Sequence, residues 1–187
     1  MQDERPPLIQ NGSTHTISGV QELVLNEQDL KQLGLMTSNR TFGPIVLNGT
    51  DCQIEGWVYN QTVYLNNYST WCTYTINSVK DTEVTIHYIG KITNPEDLNG
   101  TYQYNSGHYV SSKGIISEND FGDQSKFHVN SDEDYGAEFN KPGIYYYHLW
   151  FTKDGYLIEI SNNGTKEGNK TKEYIAKIGR QILSKFG

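Results

Sequence analysis

The run Ile144-Tyr145-Tyr146-Tyr147-His148-Leu149-Trp150-Phe151-Thr152 narrows the choice of fold more than any other stretch of the chain. It is apolar or aromatic at nearly every position, so a strand made from it carries large side chains on both pleat faces. Such a strand is stable only when both faces are covered, which places it inside a sheet rather than at its edge. Lys153-Asp154-Gly155 follows as a tight turn. Tyr156–Ser161 then returns, with Tyr156, Ile158 and Ile160 on one face. A central antiparallel hairpin is the expected nucleus.

The C-terminal stretch supplies a cover for it. Ile175, Ile178, Ile182 and Phe186 recur at helical spacing as one apolar stripe, with Lys172, Lys177, Arg180 and Lys185 around it. This predicts an amphipathic helix, capped by Asn169 or Thr171 after the polar loop 162–170. Near the start, Asn26 reads as an N-cap with Asp29 as capping-box partner. Leu30 and Leu33 share a face before Gly34, which gives a short helix. Thr82–Ile92 alternates, with Val84, Ile86 and Tyr88 on one face and Glu83, Thr85 and His87 on the other, as a half-buried antiparallel strand does. Asn94–Leu98 reads as a turn or a single helical turn. Phe121–Ser125 reads as a tight turn into the strand Lys126–Asn130, with Phe127 and Val129 inward. The expected class is α+β: an antiparallel β-sheet with a C-terminal amphipathic helix packed on one face and a short N-terminal helix. Residues 1–19 read as a flexible N-terminal tether and 20–187 as a single domain, a size that can bury a real core.

Composition addresses compartment and partners. The formal net charge is −7, with 15 Lys+Arg against 22 Asp+Glu and no basic run, which excludes a nucleic-acid partner on electrostatic grounds. No stretch approaches the roughly 18 apolar residues of a membrane-spanning helix, so no transmembrane segment is expected in this chain. Only 20% of residues are charged; the polarity comes from Asn, Ser and Thr, beside 14 Tyr. That balance reads as β-rich and extracellular. Asn-X-Ser/Thr sequons stand at Asn11, Asn39, Asn48, Asn60, Asn67, Asn99, Asn163 and Asn169, more than chance combination of these residues gives, and they read as glycosylation sites of a surface protein. Asn11, Asn48, Asn99 and Asn163 also precede Gly, a turn signal. Cys52 and Cys72 are the only cysteines. In an exported chain they read as a structural disulfide, whose loop of about 20 residues is worth about 3 kcal/mol on the chain-entropy model. The polar, proline-bearing start 1–7 reads as the spacer of a mature chain whose precursor carried a leader or a membrane anchor. The expected location is extracellular or on the cell surface.

Two short patterns carry a resemblance. Leu25-Asn26-Glu27-Gln28-Asp29-Leu30 resembles the opening helix of many secreted prokaryotic lipoprotein domains. Gly122-Asp123-Gln124-Ser125, an aromatic strand, a Lys-Asp-Gly hairpin and a closing amphipathic helix resemble the second half of PsbP-like α+β domains. Together they are similar to archaeal surface proteins of unknown function. The resemblance covers 120–187 and implies a fold and an export address, with no catalytic residues to carry over. The two cysteines and the sequons depart from the PsbP-like pattern.

The chemistry-bearing residues are sparse. His87, His108, His128 and His148 recur every 20–21 positions, but His87 and His128 fall on polar faces and His148 on an aromatic one. With no His-X-His, His-Glu-X-X-His or Cys–His spacing, they read as isolated histidines and no metal site is expected. The acidic stretches 117–123 and 132–134 lack the regular ligand offsets of a calcium loop. No nucleophile motif or glycine-rich phosphate loop is present, so no catalytic residues and no cofactor are assigned. The suggestive resource is aromatic. Trp57, Tyr59, Tyr64, Tyr68, Trp71 and Tyr74 flank the cysteines, and Tyr102, Tyr104 and Tyr109 form a second set. Rings that pair an apolar body with a polar tip suit a small ligand, a glycan or a surface protein. The function expected is a non-enzymatic ligand- or partner-binding module at the cell surface. A structural surface or assembly glycoprotein is the first alternative and a secreted hydrolase the second.

Overall fold

The structure is a computed structural model that describes residues 15–23, 25, 27–33, 52–59, 62–79, 82–108, 110–135 and 141–187. For 52–59, 62–79 and 82–88 the description is of the backbone. The elements run α1 (Val20–Leu23), α2 (Glu27–Gln32), β1 (Cys52–Tyr59), β2 (Thr62–Val79), β3 (Thr82–Lys91), α3 (Pro95–Gly107), β4 (Ile115–Glu118), β5 (Gln124–Asn130), α4 (Asp132–Tyr135), β6 (Tyr146–Lys153), β7 (Tyr156–Asn162) and α5 (Gly168–Leu183), closed by the 3-10 turn Ser184–Phe186. The α+β class expected from the sequence is present. All strands pair antiparallel in one seven-stranded sheet of order β1-β2-β3-β7-β6-β5-β4. Five of them, β3 to β7, carry the packed body.

The β6–β7 hairpin occupies the centre. Asp154 and Gly155 both take positive φ, 49° and 84°, the mirror-image turn whose twist suits two adjacent strands. Leu149 and Phe151 share a core cluster with Ile158 and Ile160 and with Ile175, Ile178, Ile182 and Phe186 of the C-terminal helix and turn. Burying those last four side chains contributes on the order of 6–12 kcal/mol before entropy is charged. Trp150 and Leu157, one position out of phase, join Ile92 and Tyr102 in a second cluster. Two-sided cover of β6 is therefore real, and it comes from different elements on each face.

The second cover corrects the expectation at 94–98. The helix does not stop after one turn but runs to Gly107. Asn94 accepts a hydrogen bond from the Glu96 amide at 2.9 Å, and Pro95 takes the first position, where its missing N–H costs nothing. Asn99-Gly100, a turn signal by composition, lies inside this helix, while Asn163-Gly164 does turn, with Gly164 at φ 101°. A second correction concerns β3. Ile86 stands opposite Ile160 but Ile89 opposite Ile158, so the strand holds one extra residue there and Tyr88 pairs with Glu159. The strict alternation of Val84, Ile86 and Tyr88 on one face is broken by this bulge.

Other local expectations shift in instructive ways. α5 begins at Gly168 with Glu167 as the cap residue and no side-chain cap; Thr171 is wholly buried instead. A Cβ on Gly168 would meet the Tyr147 hydroxyl at 2.9 Å, so glycine lets the helix start against β6. Asp29 is buried and faces the C-terminal helix: its carboxylate pairs with Lys185 Nζ at 2.7 Å and accepts from Gln181 Nε2 at 3.1 Å. Ile17, inside the segment expected as a tether, is buried in the main core, and its carbonyl accepts from the Tyr156 hydroxyl. Residues 1–14 and Asn26 lie outside the described residues.

The turn before β5 is locked by backbone contact. Gly122 has φ 59°, and a Cβ placed there would lie 2.1 Å from the Thr152 carbonyl oxygen. That same oxygen accepts the Asp123 amide at 2.8 Å, so neither side can give way. Gly122→Ala is expected to destabilise the domain by about 3 kcal/mol, from left-handed strain plus displacement of β6. Gly143→Ala, also at positive φ but with open space around it, should cost about 1 kcal/mol. Urea midpoints of the two variants measure the difference, and equal losses would refute the backbone lock.

Candidate functional site

The aromatic-bearing strands β1 and β2 are joined in an unusual way. β2 is far longer than its neighbours. Its residues from Trp71 onward pair with β3, beginning with Trp71 opposite Gly90 and Cys72 opposite Ile89. Of Thr62–Thr70, Thr62, Val63 and Tyr68–Thr70 pair with β1 and none pairs with β3, among the described strands. That part of β2 and most of β1 therefore form a two-stranded ribbon that overruns the end of β3, over about 20 Å at the ordinary rise per residue of β1. The overrun lies at the sheet end where Lys91 meets Tyr156 beside the β6–β7 turn. Within the ribbon the ladder is irregular: Gly56 stands opposite Tyr68 but Val58 opposite Val63, so the extra residues of β2, Tyr64 among them, bulge out.

Register distributes the six candidate aromatics. Tyr68 stands opposite Gly56 and Tyr74 opposite Ile86, at positions sharing parity with Cys72 along β2; Trp71 takes the opposite parity. Trp57 sits at the irregularity of β1, and Tyr59 opposite Thr62 at the ribbon tip. Backbone placement thus puts Trp57, Tyr59, Tyr64 and Tyr68 on the ribbon, Trp71 at its root beside Gly90, and Tyr74 inside the sheet opposite Ile86, so the six are not brought together on one element. The second aromatic set divides. Tyr102 is buried in one cluster with Trp150, whereas Tyr104 is 66% exposed and packs at a tilt of 56° on His108 one helical turn later; Tyr109 lies outside the described residues.

The sequence reading missed a histidine pair on the α3 side of the sheet. His128 and His148 are register partners on β5 and β6, so they share a face and are not isolated. Their rings stack at 5.0 Å with 16° between planes. His128 is 2% exposed and no hydrogen bond reaches its Nδ1 among the described residues. Burial first, then the neighbouring His148, pull its pKa down to about 3; Asn130 on the same face tempers this without closing a hydrogen bond. His148 Nδ1 faces Glu159 Oε1 at 3.8 Å, an ion-pair distance rather than a hydrogen bond. Ser161 stands opposite His148 on β7, so a serine, a histidine and a glutamate occupy one sheet face. Ser161 is 1% exposed, and a hydroxyl so enclosed offers a substrate nothing to reach. Alternation alone could have paired the histidines only if the register of β5 on β6 were known.

The acidic loops serve the fold. Asp123 binds Lys153 Nζ at 3.0 Å and the Asp154 amide at 2.9 Å, which ties the β5 turn to the central hairpin. Asp132 opens the short helix α4 and accepts from the Gly143 amide at 3.1 Å. Among the described residues, no group of three or more His, Cys, Asp or Glu is placed to hold a metal ion, and no helix is long and apolar enough to cross a membrane. Of the sequon residues, Asn99, Asn163 and Asn169 are exposed, and Asn67 lies in the irregular part of β2. Asn11, Asn39, Asn48 and Asn60 lie outside the described residues.

The buried histidine has a measurable consequence. In the unfolded chain His128 titrates near 6.5, while the folded protein refuses its proton down to about pH 3. Below pH 6.5 the unfolded state therefore binds a proton that the native state does not, and stability falls as pH falls through that window, by about 1 kcal/mol per pH unit. His128→Phe keeps the stacked ring and should flatten this slope in urea midpoints measured between pH 7 and pH 4. An unchanged slope would show that the loss comes from other groups.

Comparison with protein-family models, with curated proteins and with solved structures returned no match.

Proposed function

We propose that this chain is an exported cell-surface module without enzymatic activity, which binds a glycan or a neighbouring surface protein through the β1–β2 ribbon. The overrun of Thr62–Thr70 beyond β3 carries the reading. Among the described residues no further strand flanks the ribbon, and unpaired strand edges are the feature by which an extended partner strand adds to a sheet. Trp57, Tyr59, Tyr64 and Tyr68, with Trp71 at the root, give the ribbon the residue types that dominate binding hot spots, while Tyr74 lies further along β2, opposite β3. α5 and the N-terminal helices cover one face of the central strands, and α3 covers part of the other. The sequon-rich, charge-poor composition supports the extracellular address, as does the resemblance to PsbP-like and archaeal surface domains. A leader or N-terminal anchor in the precursor belongs to the same proposal.

Binding of the purified chain to a glycan array and to envelope preparations of the source cell tests this. Trp57→Ala and Trp71→Ala should each weaken retention about tenfold or more, a hot-spot effect, while melting like the parent. Retention unchanged in both variants would sink the ribbon reading. Growth of particle size with concentration would instead favour the structural assembly glycoprotein, and release of a cleaved product the hydrolase.

A further inference from the structure

We propose that Cys52 and Cys72 form a cross-strand disulfide at the root of the ribbon, and that this bond locks the register of β1 on β2. The two residues are direct partners in the β1–β2 ladder. Opposed residues of an antiparallel pair have Cα atoms about 4.5–5.5 Å apart, inside the roughly 4.4–6.8 Å that a disulfide spans. Spacing along the sequence leaves this pairing merely allowed; the register makes it the contact that the two backbones present.

Position gives the bond its task. Cys72 also stands opposite Ile89, and Trp71 opposite Gly90, the first pairs that β2 makes with β3. The cysteines therefore lie in the row where the ribbon joins the sheet. On one side of that row three or more strands support one another. On the other, two strands pair only with each other among the described residues, and isolated two-stranded ribbons are marginal in water. The ribbon's own ladder is a poor guardian of register, because the step from Gly56 to Val58 faces the longer step from Tyr68 to Val63. A slip of one residue would turn every side chain of β1 to the other face. It would also put the two Cβ positions on opposite faces, which a disulfide forbids. One bond at the root thus removes the slipped states of the ladder from Cys52 to Gly56, the part of the ribbon next to the sheet.

The chemistry is thiol–disulfide exchange. The two thiols give up two protons and two electrons to an oxidised disulfide of low molecular weight, which leaves as two thiols while the protein S–S bond forms. Such oxidants are the ones available to an exported chain. The effect on binding rests on the ribbon reading above; the bond and its effect on register do not.

The full chain, folded in the presence of oxidised glutathione, supplies the test. Alkylation without reduction should leave both cysteines unmodified. Chymotryptic mapping, which cuts at the aromatics between them, should recover Cys52 and Cys72 in one linked pair of peptides. Reduction, or the double variant Cys52→Ser with Cys72→Ser, should accelerate amide hydrogen exchange across 52–59 and 62–70 at least about tenfold and leave β6 and β7 protected. Alkylation of both thiols in the oxidised preparation would overturn the bond. A linked pair whose reduction leaves ribbon exchange unchanged, or accelerates β6 and β7 equally, would overturn the lock. None of these readouts involves a partner, so a failed binding experiment leaves them standing, and their failure leaves the binding reading to its own test.

Discussion

Burial of the β6–β7 hairpin on both of its faces is the constraint on which the rest of the molecule depends. Leu149, Phe151, Ile158 and Ile160 are fully enclosed on one side, and Leu157 with Trp150 on the other. Each large side chain so enclosed is worth roughly 1.5–3 kcal/mol, and no single layer of helices could supply all of it. The chain answers with three separate covers. The α5 stripe takes the first face, joined by Ile17, Val20, Leu23 and Leu25 from the N-terminal segment. α3 takes the second with Tyr102 and Leu98. β5 and β3 close the two hydrogen-bonding edges. Polar fasteners then hold the covers in place: Asp29 with Lys185 across the two terminal segments, Asp123 with the central turn, and the Asn162 amide. This last accepts from the Tyr147 N–H at 2.6 Å and donates to the Tyr145 carbonyl, so it extends the ladder past its last backbone pair.

What could be read from the sequence follows from how local each signal is. The hairpin and α5 were legible because their patterns repeat within the element itself: a continuous aromatic run, a Lys-Asp-Gly turn, and isoleucines at helical spacing. α3 announced its start through Asn94-Pro95 but hid its length. Its buried line is Leu98, Tyr102 and Ser106, one side chain per turn, and only Tyr102 is both large and deeply buried. Asn99-Gly100 then argues for a turn where tertiary contact holds a helix. The β3 bulge is invisible to an alternation count, since one inserted residue leaves each half correctly patterned and only the phase between them wrong. Asp29 illustrates the opposite case. Its helix was anticipated, but its partners Lys185 and Gln181 lie at the far end of the chain.

The same limit governs the site. That aromatics flank the two cysteines was plain in the sequence, but that Trp57, Tyr59, Tyr64 and Tyr68 lie on a ribbon overrunning the sheet, while Trp71 and Tyr74 pair with β3, is a statement about register. So is the pairing of His128 with His148. Four histidines at a spacing of 20 or 21 residues suggested successive strands, and two of them do meet on adjacent strands. The face assignment failed because Lys126, His128 and Asn130 read as a solvent face, whereas His128 is enclosed. A neutral, stacked imidazole with an unmet nitrogen, as at His128, is a cost borne by the folded state, and the place of its partner His148 next to Glu159 and Ser161 looks catalytic only until the burial of Ser161 is counted.

The ribbon poses the opposite physical problem to the core. Inside the sheet β3, β7, β6 and β5 each have a strand on both sides; among the described residues Thr62–Thr70 has one on a single side. Open edges invite unwanted pairing, and natural sheets blunt them with short strands, charges, proline or bulges. Charge and proline are missing from this ribbon: Glu55 is the only charged residue between Cys52 and Cys72, and the stretch contains no proline. It does have the bulge, together with sequons at Asn60 and Asn67 and a pair of cysteines in register at its base. On the proposed reading, in which the arm is kept for contact with another molecule, these features keep its two strands soluble and aligned without adding a further strand at its edges.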